Sequence, residues 1–176
     1  MSTTQRRTMG ALVAGLAAAG LAALATVAPA GAAGAAMVQA EGPVLNYTTA
    51  SPNPLAGVTA KVRSLTTPSG RTIVTLHLAG FAEQYEGTTF GAHAHTGPCS
   101  LTVSAGPHYT QAGTTALEER EVWLDFTVDD EGHASAQANR DWVFAPNGAN
   151  SVVVHALPTA SNGVAGARLG CLAVDF

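Results

Sequence analysis

The residues best able to do chemistry in this chain of 176 amino acids are His93, His95, His108 and His155, four of its six histidines. His93 and His95 lie in Gly91-Ala92-His93-Ala94-His95, and His108 closes Ala105-Gly106-Pro107-His108. His155 ends an apolar run, Val152-Val153-Val154-His155. Side chains alternate faces along a strand, so His93 and His95 point to one side, about 7 Å apart. Two such rings can meet at a single ion, and two imidazoles from elsewhere complete a nitrogen site. Four neutral imidazoles without a thiolate suit copper well, and zinc less distinctively. A lone histidine is usually a satisfied polar residue near a turn. A cluster containing His-x-His is read here as a metal site. His77 and His133 have no partner motif and are read as solvent-facing.

The elements that must carry these histidines read as strands. Val58 to Val62 and Thr72 to Leu78 alternate apolar and polar residues around a turn at Thr67-Pro68-Ser69-Gly70. Phe90 to Thr96 is a strand carrying the histidine pair. Val122, Leu124, Phe126 and Val128 alternate with Glu121, Trp123, Asp125 and Thr127, before a turn at Asp129-Asp130-Glu131-Gly132. His133 to Ala138, Ser151 to Leu157 and Leu169 to Phe176 complete the set, and Asn139 to Asn150 is a loop. No long segment has helical periodicity. Glycine and proline punctuate at intervals suited to an all-β sandwich or barrel.

The histidine stretches, with Ser104-Ala105-Gly106-Pro107-His108 and Gly166-Ala167-Arg168-Leu169-Gly170-Cys171, resemble the copper/zinc superoxide dismutase family in type and order, over roughly residues 45 to 176. The resemblance implies an eight-stranded Greek-key barrel. It implies that His93, His95, His108 and His155 bind copper, and that Arg168 lies beside the metal and draws in superoxide. The chemistry it implies is the conversion of superoxide to dioxygen and hydrogen peroxide by cycling copper. Two cysteines, Cys99 and Cys171, make a disulfide the default in an exported chain. The family has such a bond at matching positions.

The chain departs from that pattern in two places. The family's zinc ligands follow the bridging histidine, but Tyr109 to Arg120 contains no histidine, cysteine or aspartate, so the zinc site is expected to be absent and the chain resembles the copper-only branch. The loop Ala156 to Ala167 is short and uncharged, which leads us to expect a copper more open to solvent. Glu121 falls near a position held by a zinc-site histidine in the family, with Leu124 or Asp125 near that of the aspartate. Glu121 is either a solvated strand residue or a carboxylate that orients His108 through its other ring nitrogen.

The N-terminus has the pattern of a targeting segment. Arg6 and Arg7 precede an uncharged Ala/Leu/Gly-rich run, and Ala28-Pro29-Ala30 offers a small-residue cleavage site. Residues 1–30 are therefore read as a signal peptide cleaved near 30–36, residues 31–43 as a flexible lead-in, and residues 44–176 as one domain. The expected location is outside the cytoplasm: secreted, extracellular, periplasmic or in the cell wall. No stable membrane insertion is expected after cleavage. Without Arg6 and Arg7 the chain has six basic residues against twelve acidic, which argues against nucleic acid as a partner.

These readings lead to an exported copper-only superoxide dismutase, with superoxide as its partner. The alternative is a non-catalytic extracytoplasmic copper-binding protein. A cupin is disfavoured because no glutamate follows at Thr96 to Cys99, and a metal-free sandwich because four histidines recur in matching motifs.

Overall fold

The computed structural model describes residues 34–49, 51–102 and 105–176. The signal peptide assignment lies outside these residues. Among the described residues ten strands form three sheets, with one short α-helix and one 3-10 turn (Glu83–Tyr85) outside them. The first sheet has the order β1-β3-β4-β8: β1 is Ala36–Pro43, β3 Thr59–Thr66, β4 Thr72–Ala79 and β8 His133–Arg140. The second has the order β2-β10-β9-β6: β2 is Leu45–Asn46, β6 Ala92–His95, β9 Ser151–His155 and β10 Arg168–Ala173. β5 (Thr89–Phe90) and β7 (Phe126–Thr127) pair separately. The helix, α1, spans Leu117–Arg120.

The expected eight-stranded Greek-key barrel is not formed. The β-rich character stands, but the strands are divided among three sheets, and among the described residues no ladder of hydrogen bonds closes them into a barrel. A barrel needs each edge strand to find a partner. Here the first sheet ends at β1 and β8, and the second at β2 and β6. The stretch read as a flexible lead-in also differs, since Ala36–Pro43 pairs along its whole length with β3.

Alternation explains how the sheets share a core. Ala60 and Val62 of β3, Val74, Leu76 and Leu78 of β4, and Ala134 and Ala138 of β8 are buried in one cluster. Ala92 and Ala94 of β6, Val152 and Val154 of β9, and Leu172 of β10 meet them from the second sheet. Val122, Leu124, Phe126 and Val128, the expected apolar face, lie in the same cluster, although only Phe126–Thr127 form a named strand there. β6 and β9 are buried on both faces. Ala92, Ala94, Val152 and Val154 face the core, which leaves the histidines on the opposite side with Val153.

Among the described residues no helix is long and apolar enough to cross a membrane.

Candidate metal centre

Strand register brings the histidines together. His93 and His95 alternate with the core residues Ala92 and Ala94 on β6. β9 pairs antiparallel with β6, and beyond the named ladder His155 donates its backbone N–H to Gly91 O at 2.7 Å. His108 arrives on the other edge of β6, where it forms an isolated bridge with His95 and Tyr109 N–H donates to Ala94 O at 2.8 Å. This edge requires Gly106. Its φ is +76°, and a Cβ there would lie 2.5 Å from Thr96 Oγ1. Any other residue would be strained in backbone and would also push the His108 segment off the strand.

The four side chains form a group able to hold a metal ion, with one ligand nitrogen from each and all four nitrogens within 4.8 Å of one another. His93 and His95 are fully buried, His155 is nearly so, and the His108 side chain is 19% exposed. The short loop after His155 packs against this group. Thr159 of that loop reaches His93 Nε2 at 2.7 Å. Gly91 permits this approach: a Cβ there would lie 2.7 Å from Leu157 O and 2.8 Å from Ala165 Cβ.

The outward nitrogens are tied to acceptors. His95 Nδ1 donates to Gly106 O at 2.9 Å and His155 Nδ1 to Gly166 O at 3.2 Å. His108 Nδ1 donates to Glu121 Oε2 at 2.9 Å. A neutral imidazole with a proton on one nitrogen offers a lone pair on the other, so these three rings present Nε2 to the centre. His93 is reversed, with Nδ1 lying 2.9 Å from His108 Nε2. His95 Nε2 and His155 Nε2 are 3.2 Å apart. Facing lone pairs at such distances repel unless a cation lies among them. Protons fill that role poorly. Burial, with His108, His155 and His95 as further causes, lowers the His93 pKa to about 2. Burial lowers that of His95 to about 3, against the opposing hydrogen bond to Gly106. His155 is lowered by burial as well.

Glu121 is buried, not solvated. It accepts from His108, from Trp123 Nε1 at 2.8 Å and from Thr110 Oγ1 at 3.0 Å. Burial alone would raise its pKa, but the hydrogen bonds from His108 and Trp123, the charge interaction with His108 and the bond from Thr110 together lower it. Arg168 is half-buried and donates from Nη2 to Gly106 O at 2.6 Å, the same carbonyl that holds His95. Cys99 and Cys171 are bonded to each other, tying the segment after β6 to β10. His77 and His133 are exposed, and His133 lies 3.5 Å from Glu131.

Thr159 has no place in the sequence reading, and Asp125 enters it only as a displaced zinc ligand. Both Asp125 oxygens accept from Thr159, Oδ1 from its hydroxyl at 2.5 Å and Oδ2 from its backbone N–H at 2.6 Å. A usable signal was present. Glu121, Trp123 and Asp125 share one face of an alternating segment, and Trp123 bridges to His93, so that face lies toward the histidines.

No family model matches this chain, and no curated protein matches it. Solved structures that do match include a crystal structure of the clock protein EA4, at 17% identity and a TM-score of 0.50, covering 80% of this chain and 92% of that one. At that identity the likeness concerns the fold alone. The assignment to copper/zinc superoxide dismutases is therefore corrected: a matching structure is described as a clock protein, and the sheets of the described residues do not close into a barrel. The dismutase activity and the enzyme reading are withdrawn with it, while Arg168 keeps its place beside the histidines through the carbonyl it shares with His95. The four-histidine group, able to hold a metal, stands on its own geometry.

Proposed function

We propose that this chain is an exported copper-binding protein, with His93, His95, His108 and His155 as the ligands of one copper ion. The observation that carries this reading is the convergence of four imidazole nitrogens whose opposite ring nitrogens are already engaged. Such outward partners hold a ring in one tautomer and raise its basicity as a ligand. The donor set contains no thiolate, in contrast with most structural zinc sites. Export is supported by the Arg6-Arg7 and Ala-rich leader and by the disulfide, a bond that persists in oxidising compartments.

Metal analysis after loading and exhaustive dialysis tests this. We expect one copper per chain, a Cu(II) EPR spectrum with nitrogen hyperfine structure, and loss of both in His95→Ala. Stoichiometric zinc retained in preference to copper would refute the copper assignment. Retention of neither metal would refute the site.

A further inference from the structure

We infer that Asp125, acting through the hydroxyl of Thr159, decides which nitrogen of His93 faces the metal. The inference rests on the reading of the four imidazoles as a metal centre, but its main test does not need the metal.

His95 and His155 each give a proton to a backbone carbonyl, and His108 gives one to a carboxylate. Those groups can only accept, so each ring's tautomer is determined by its immediate partner. His93 differs, because its partner at 2.7 Å is a hydroxyl, which can donate or accept. Left alone, Thr159 could donate to His93 Nε2. The ring proton would then sit on Nδ1, the nitrogen 2.9 Å from His108 Nε2, and His93 could not be a ligand there. Asp125 removes that choice. Its Oδ1 lies 2.5 Å from Thr159 Oγ1 and takes the hydroxyl proton, while Oδ2 takes the backbone N–H of the same residue. The hydroxyl oxygen can then only accept, His93 must carry its proton on Nε2, and the Nδ1 lone pair is left for the metal.

The chain of dependence spans three elements. Asp125 precedes β7, Thr159 lies in the loop after β9, and His93 is on β6. Asp125 and Thr159 are therefore positioning residues, since neither supplies a ligand nitrogen.

Asp125→Asn keeps the size and inverts the polarity. An amide NH₂ turned toward Thr159 donates to its oxygen, which frees the hydroxyl to donate to His93. Thr159→Val removes the hydroxyl at nearly constant shape, and Thr159→Ser preserves it. The histidine tautomers should be read from long-range proton–nitrogen NMR correlations in the ¹⁵N-labelled, metal-free protein, with copper affinity measured on the same variants. We expect Nε2–H for His93 in the wild type and in Thr159→Ser. In Asp125→Asn the proton should move to Nδ1 with a ~10–100-fold loss of copper affinity, and Thr159→Val should lose affinity comparably. The amide dispersion of each variant reports whether it folds, and Thr159→Val decides the matter should Asp125→Asn fail to fold. A wild-type His93 protonated on Nδ1, or folded variants with unchanged tautomer and affinity, would overturn the inference. Absence of copper binding by the wild type would instead overturn the metal reading, leaving the tautomer measurement to judge this one.

Discussion

Glu121 Oε2 accepts the Nδ1 proton of His108 at 2.9 Å, and the carboxylate is held in place by Trp123 and Thr110. His108 is the most exposed of the four candidate ligands, so it depends most on such a partner for its orientation. Glu121→Gln should weaken copper binding by ~10–100-fold. Its amide cannot accept from every donor now aimed at the carboxylate. The buried groups left unsatisfied should also cost about 1–3 kcal/mol of stability. Copper titration and urea denaturation of the same variant measure both effects. Unchanged values would show that His108 is oriented without Glu121.

Gly106 serves the site through its backbone. Its carbonyl accepts from His95 and from Arg168, and its φ of +76° brings Pro107 and His108 back along β6. Gly106→Ala should lower stability by about 1–3 kcal/mol through strain at positive φ and the clash with Thr96. It should also reduce copper affinity, because the shift moves one ligand and the acceptor of another. Differential scanning calorimetry with and without copper separates the two, and a variant as stable and as tight-binding as the wild type would contradict this account.

Metal-free protein should lose stability as the pH falls below about 6.5. In the folded chain His93 and His95 resist protonation down to about pH 2 and about pH 3, mainly through burial. Unfolded imidazoles take up a proton near pH 6.5. The unfolded state therefore binds more protons throughout that window, and acidification favours it. Each such histidine adds up to about 1.4 kcal/mol per pH unit. Urea midpoints between about pH 6 and 4.5, largely above the carboxyl range, check this. His93→Asn should flatten the slope, and a pH-independent midpoint in the wild type would contradict the burial argument.

Removing the disulfide with Cys99→Ala and Cys171→Ala should cost about 4 kcal/mol, the chain-entropy value for a loop of this length. The residues it joins lie beside Val153 and Ala105 in a small buried cluster under the histidine face. We expect the same loss with and without copper, because binding to the native state adds about 2.7 kcal/mol at one hundred times the dissociation constant to wild type and variant alike. Unequal losses in denaturation experiments would show that the bond and the centre are coupled.

The strand faces and the grouping of the histidines were legible in the order of residues alone. Strand geometry imposes a period of two, so Val74, Leu76 and Leu78 could be placed on one side and His93 and His95 together on another before any contact was known. The same alternation put Glu121, Trp123 and Asp125 on one face, but it could not say what that face met. Tertiary structure decided the rest. Closure of a barrel depends on which edge strands find partners, and local periodicity is the same whether β1 and β6 stay edges or close a ring. The tautomers of the histidines depend on acceptors distant in the chain. Thr159 is 66 residues from His93, and Asp125 is 34 from Thr159. Only the packing of the 156–167 loop against β6 sets those hydrogen-bond directions, because a hydroxyl has no fixed polarity until its neighbours assign one.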